Sequence, residues 1–523
     1  MKLIKKHRSM VIYIIVLVFG TLILNSCNSN FGDINTNPKV NNSATPDALF
    51  ASATKNLTDL LTSTNQNYNP FRLWAQHWTE TTYTDEANYN IVQRNIPDRW
   101  FNNIYVRTLE NYETAKSIET ETNPTGDDAT QANRLAIIDI MEVYSYSVLV
   151  ELFGDVPYTE ANKIEETLLP KYDVQTVIYA DLIKRLYADI AVLDANSDAP
   201  NFDSSDLLYS GNTAAWQKFA NSLLLRMGMI LIDVPSGTVG SYSAGQLVKD
   251  ALAGGVFTSN SDNASFQYLG SNPNTNPLYA DLVQSGRQDY VACVTFLDTL
   301  MANNDMRYTA FFAPLKDGSY AGGVAGTNTS TSKSCYPADI MLDPTFPSLL
   351  LSYTEIEFLQ AEAAVRGIGG VDASTAQTHY ENGIQAAMDY WSGLSGVSME
   401  STSELINTAY AFPESHDEQM KAIAFQLWIG LYNQGFEAWT QWRRLDYPTL
   451  PVATKCYGAA VNNGVRTIPK RFTYPATEPG TNVENWSNAS ASIGGDYLYT
   501  PLFWDKYNNQ WGTHNQDPAL AGN

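Results

Sequence analysis

The sequence predicts an all-α protein that carries a large, irregular, loop-rich part. Apolar residues recur at gaps of three and four through much of the chain, the period of a helix with one face turned inward. The helical stretches come roughly in pairs. Between them lie long segments rich in Ser, Asn, Gly and Thr. With 523 residues, 44% hydrophobic and 17% charged, the chain has ample material for a large core.

The first element is a targeting segment. Lys2, Lys5, Lys6 and Arg8 form a positive stretch, and Met10 to Leu24 is uncharged and mostly apolar. Leu24-Asn25-Ser26-Cys27 follows, with a small residue before the cysteine. This is the layout of a lipoprotein signal. The apolar run is short for a membrane-spanning helix, which needs about 20 residues. The expected organisation is a signal over 1–26, a lipidated Cys27 with a polar spacer over 27–45, and one body over 46–523. Two or more acyl chains on Cys27 would hold that body on a membrane.

Helices follow in order. Pro97 to Thr120 reads as one helix with proline in its first turn. Asp128 to Phe153 carries Ile137, Met141, Tyr144, Val148 and Leu152 on one face, and Gly154 stops it. Asp173 to Leu193 carries Ile178, Leu182, Leu186 and Ile190. Thr213 to Ile232 carries Trp216, Phe219, Leu223 and Met227, with Asn212 as N-cap. Tyr353, Ile356, Leu359 and Ala363 form another stripe, closed by Gly367. Thr375 to Tyr390 and Glu414 to Tyr432 complete the set. Small residues such as Ala132, Ala136, Ala361, Ala363 and Ala364 allow close helix approach. Two architectures fit: tetratricopeptide-like repeats with an irregular period, or an irregular bundle. Tyr268, Tyr320 and Tyr336 in the loops Gly254–Pro277, Lys316–Pro347 and Pro469–Asn523, and Tyr279 just past the first, face ligand or clamp loop to helix.

The chemistry inventory is sparse. There is no GxSxG elbow, no Walker loop, no HExxH and no GxGxxG opening a helix. Acid pairs such as Glu355 with Glu357, or Asp85 with Glu86, read as solvated surface groups. The formal charge of −23 disfavours nucleic acid as a partner. With Cys27 lipidated, Cys293, Cys335 and Cys456 allow at most one disulfide. No zinc pattern is present. No cofactor is expected; a structural calcium near Asp505 and Asn508 is the one metal considered. Arg443 and Arg444 read as structural, tying helix ends to carboxylates.

Binding leaves a different trace. A sugar ring has apolar C–H faces and a belt of hydroxyls, so its recognition wants flat aromatic rings beside short polar side chains. Asn69 to Tyr89 has that composition. Trp74 and Trp78 would share a face if helical. The expected ligand-binding residues are Trp78, Tyr83, Asp85, Asn88 and Tyr89, joined by Tyr279, Arg287 and Asp289.

Several segments resemble the SusD/RagB family of outer-membrane lipoproteins of the Bacteroidetes. They are Phe31-Gly32-Asp33-Ile34-Asn35-Thr36-Asn37-Pro38, Leu149 to Ala161, Tyr353 to Ala363, Trp439 to Pro448, and Ile468 to Pro475. Asn304-Asp305-Met306-Arg307 departs from an expected Asn-Asp-Pro-Arg-like turn. The resemblance implies four tetratricopeptide-like helix pairs with an irregular ligand-binding part. It also implies a non-enzymatic, surface-exposed lipoprotein of the outer membrane. Such a protein captures oligosaccharide and passes it to a SusC-like TonB-dependent transporter. The alternatives are a peptide-capturing member of the family and a surface glycan hydrolase.

Overall fold

The computed structural model describes residues 44–506 except 124, 127, 400, 401 and 454. The expected signal, Cys27 and Asn508 lie outside the described residues. From Pro46 onward the chain forms one unit. Its main helices are α1 (Pro46–Thr62), α2 (Glu110–Thr122), α3 (Ala129–Phe153), α4 (Gln175–Ala195) and α5 (Thr213–Ile230). Then come α6 (Ala244–Gly254), α7 (Tyr353–Arg366), α8 (Ala376–Ser395), α9 (His416–Gly430) and α10 (Gly435–Leu445). Helices α3/α4, α5/α6, α7/α8 and α9/α10 pack as four hairpins, and α4 meets α5, α5 meets α7, and α7 meets α9. The repeat architecture is therefore the one adopted.

Local chemistry sets the ends. The Asn212 carboxamide accepts from Ala215 N at 3.2 Å and caps α5. Asp128 does the same for α3, accepting from Thr130 N at 2.8 Å. Gly154 ends α3 at φ +87°, where a Cβ would stand 3.1 Å from Leu502. That glycine frees the chain to turn and lets the C-terminal segment lie against it. Between α7 and α8, a Cβ on Gly383 would come 2.7 Å from the Phe358 ring. The close helix approach foreseen from alanines thus also depends on a glycine. The expected helix from Pro97 is interrupted: Ile96–Asn102 passes into a π-helical stretch, Asn103–Leu109, before α2.

Buried charge ties the hairpins together. Arg226 on α5 donates to Glu355 on α7 at 2.8 Å and lies 3.3 Å from Glu437 on α10. Arg444 on α10 grips both Glu362 oxygens, at 2.7 and 2.5 Å, and Arg366 adds a bond at 3.0 Å. Burial opposes the Glu362 charge, but Arg444 and Arg366 prevail and hold its carboxyl below the ordinary range. Glu355 is also fully buried, and Glu357 is buried beside His379, so these acids are not the solvated groups their charge suggested. Arg443 is structural by another route. It donates to the Glu151 and Lys470 carbonyls and lies 3.4 Å from the Trp439 ring centroid.

The irregular part is pinned by four strands of three or four residues among the described residues: β1 (Trp78–Glu80), β2 (Ala264–Phe266), β3 (Tyr290–Ala292) and β4 (Ser348–Leu351). They pair antiparallel as β1 with β3 and β2 with β4. Loop tyrosines act as clamps. The Tyr268 hydroxyl donates to Asp59 on α1 at 3.0 Å, and that of Tyr336 donates to the Leu282 carbonyl at 3.3 Å. The Asp305-Met306-Arg307 turn is an ion pair with both side chains fully buried, capped by the Tyr410 hydroxyl at 2.8 Å. Cys293, Cys335 and Cys456 are free thiols.

Candidate functional site

The segment from Asn69 to Tyr89 does not form one helix. A single turn, Phe71–Trp74, ends early; Gln76 takes φ +56°, and the chain enters β1. Trp74 and Trp78 consequently share no helical face. Trp78 is core: its indole donates to the Tyr432 hydroxyl at 2.8 Å, and the Arg72 guanidinium lies 5.3 Å from its ring. Only its burial, through pairing with β3, removes it from the expected set.

Asn88 is likewise buried, and it organises the loop. Its amide donates to the Thr84 carbonyl at 2.6 Å and the Gly326 carbonyl at 2.8 Å. Its side-chain oxygen accepts from Lys455 N at 2.8 Å, and its backbone oxygen accepts from Tyr457 N at 3.1 Å. Its own segment and two distant loops meet on one carboxamide, whose burial keeps it from ligand. Tyr89 sits at φ +71° with its hydroxyl accepting from Ala453 N at 2.9 Å, and burial pushes its phenol up. Below the loop, Glu80 accepts from Ala87 N at 3.0 Å. Burial, and then the Glu86 charge, push the Glu80 carboxyl well up, while Glu86 pairs with Arg94.

The surface above these anchors holds the other expected residues. Tyr83 is 49% exposed. The Arg287 guanidinium lies 5.4 Å from its ring centroid and that of Arg94 lies 5.6 Å away. Arg287 donates to Asp289 at 2.5 Å and reaches Gln66 at 3.2 Å. Arg94 is 3.9 Å from Asp85, which also accepts from the Tyr457 hydroxyl at 2.8 Å. Thr331 donates to Gln288 at 3.0 Å. Tyr83, Asp85, Arg287 and Asp289 are therefore brought together. Tyr279 is not part of this group; it lies on a one-turn helix, Pro277–Tyr279, against residues 339–342 and α1.

Arg94 and Tyr457 were missed. Arg94 lies just past the aromatic segment and could have been included by position. Tyr457 comes from the far end of the chain, with no local sign of its place. Beside Gln66 a cleft of about 430 Å³ opens between α1 and residues 272–281. Lys55, Arg107, Asp59 and Asp281 bring both signs of charge to it. Asp505, considered for calcium, pairs with Lys470 at 3.1 Å.

Four stacked helical hairpins carrying a loop-built aromatic and polar face define the scaffold. Residues 38–475 match the SusD-like family model described as starch-binding and associating with the outer membrane, and the chain belongs to that family. Among solved structures, a chitin-binding protein is 25% identical with a TM-score of 0.74, over 88% of this chain and 99% of its own. The Bacteroidetes AC2a SusD-like protein is 25% identical with a TM-score of 0.73, over 88% of this chain and 100% of its own. A chitin-binding SusD homolog from Flavobacterium johnsoniae shares the fold at 21% identity and a TM-score of 0.71, over 87% of this chain and 98% of its own. No curated protein matches the chain. Among the described residues, no helix is long and apolar enough to cross a membrane.

Proposed function

We propose that this protein is a non-catalytic, lipid-anchored binding protein of the outer membrane. It captures oligosaccharide on the Tyr83 face and passes it to a partner TonB-dependent transporter. The observation that carries this reading is the half-exposed Tyr83 ring with Arg94 and Arg287 close by and Asp85, Asp289 and Tyr457 in the same cluster. The ring offers a stacking face, and the planar charged groups offer paired hydrogen bonds to adjacent hydroxyls. Family membership and the chitin-binding relative support the same reading. The expected anchor at Cys27 supplies the attachment, and capture close to a transporter raises the local concentration of its cargo.

Calorimetry with chitohexaose and maltoheptaose tests it. Binding of either, without new reducing ends, is the expected result. Tyr83→Ala should weaken that binding about tenfold while leaving the melting temperature unchanged, because the ring is half in solvent. Turnover would identify a hydrolase instead. A peptide ligand is the second reading, favoured by the cleft beside Gln66, whose mixed charges match a zwitterionic chain. Tight binding of peptides with no glycan binding would select it.

A further inference from the structure

We propose that the third helical hairpin carries a second carbohydrate-binding cleft, separate from the Tyr83 face. This inference rests on the glycan reading and extends it to a second site. The cleft, about 680 Å³, lies between α7, α8 and residues 259–261. Tyr353, at the start of α7, and Tyr390, on α8, supply two aromatic rings. Asn382, Gln385 and Asp389 also come from α8; they are spaced three and four apart with Ala386, so they share one face of the helix. Ala386 and Gly393 contribute almost no side chain, and this leaves the floor of the groove open.

The opposite wall is held in place. Asn260 donates to the Ala386 carbonyl at 2.9 Å, tying the loop to α8. A capping box between Ser259 and Asp262 fixes the turn, and Asp262 is anchored by Lys218 at 2.8 Å. Asn263 accepts from Tyr353 N at 2.7 Å, which sets the start of α7. The groove is therefore formed before any ligand arrives, and little ordering cost remains.

Its chemistry points to a neutral, hydroxyl-rich chain. Asp389 is the one charged group lining the cleft among the described residues, and Gln385 already donates to it at 2.7 Å. A phosphate would find no cationic side chain among the described residues lining it, and the one carboxylate, held by Gln385, can accept from a hydroxyl. Two phenol rings and an exposed carboxamide lining one cleft suit a sugar instead: the rings take its C–H faces and Asn382 takes its hydroxyls. No residue is shared with the Tyr83 face, so the two sites can be removed independently.

The stoichiometry of chitohexaose and maltoheptaose binding, by calorimetry on the full chain, tests the proposal. Two sites are expected. Tyr83→Ala should leave the second intact, and Tyr390→Ala should weaken the second about tenfold while leaving the first. Because Tyr390 packs against Trp391, the more exposed Asn382→Ala serves as a second variant that spares the fold. One site, lost with Tyr83→Ala and untouched by Tyr390→Ala and Asn382→Ala, would overturn the second cleft and leave the main reading standing. No binding of either sugar would overturn both.

Discussion

The hairpin region and the loop region of this molecule are built on different principles. In the hairpins, apolar stripes repeat locally, and buried ion pairs tie one helix to another: Arg226 with Glu355, and Arg444 with Glu362. In the loop region, neutral or single polar side chains satisfy the backbone of segments with no periodicity of their own. Asn88 does so for three loops. Asp281 holds the turn at residues 63–65, accepting from Thr64 N and from the Ser63 and Asn65 side chains. Buried irregular backbone has to place its N–H and C=O groups somewhere, and a carboxamide or carboxylate hub is the compact solution. The difference separates two jobs. A stack of helices can be rigid through long-range ion pairs, while a face built on hubs can exchange its exposed residues, such as Tyr83 and Tyr457, without disturbing the anchor beneath them.

The largest effect should come from breaking the hairpin clamp. Arg444→Ala would leave Glu362 fully buried with Arg366 alone, and uncompensated buried charge of this kind costs about 3–5 kcal/mol. Chemical denaturation should show the loss. Replacing Arg444 and Glu362 together with Met should recover most of it, since the cost lies in the orphaned charge rather than in the missing bond. A single variant as stable as the parent would mean that the hairpins hold together without this pair.

A smaller effect is expected at the loop hub. Asn88→Ala strands Lys455 N and the Gly326 carbonyl. About 2–3 kcal/mol should be lost, and glycan affinity should fall as well, although Asn88 touches no solvent-facing surface. Tyr83→Ala should give the reverse pattern, with affinity lost and stability kept. Equal behaviour of the two variants would erase the distinction between anchor and face.

The same contrast explains what could be read from sequence. The helices of the hairpins announce themselves because their signal is local: the stripe from Ile137 to Leu152 and the cap at Asn212 lie within a few turns of what they determine. The π-helical stretch at Asn103–Leu109 did not, since one extra residue per turn leaves an ordinary apolar pattern. Trp78 and Tyr89 were misplaced because an aromatic residue beside polar neighbours looks the same whether it faces ligand or core; the turn at Gln76 decides, and its positive φ is not written in the composition. Glu355 was placed outside because a lone carboxylate belongs in water, and its partner Arg226 lies far away in the chain. The Tyr83 face was half legible. Its local members were found, and Tyr457, delivered by a distant loop, was not.

The smallest expected effect is a pH dependence confined to the first hairpin and α2. There Lys116 and Arg185 share four acids, Glu113, Asp139, Glu142 and Asp189, two more than they can neutralise. Burial, and then the Glu142 charge, push Glu113 up to about 7. Burial, and then the Asp139 charge, push Asp189 up to about 9. Both values lie above the unfolded ones, near 4, so the folded protein holds these protons longer than the unfolded chain does. The stability they contribute is fully present below about pH 4, and it is lost as pH rises, first through the Glu113 value and then through that of Asp189. Glu113 is partly exposed, and solvent screening reduces its share to on the order of 1 kcal/mol. Melting temperature followed from about pH 5 to 8 should therefore decline in the parent; Glu113→Gln should flatten the decline up to about pH 7, and Asp189→Asn should flatten it across the whole range. A parent whose melting temperature instead rises across that range would mean that the two cations govern all four acids, and that this junction follows the fully paired pattern of Arg444 and Glu362.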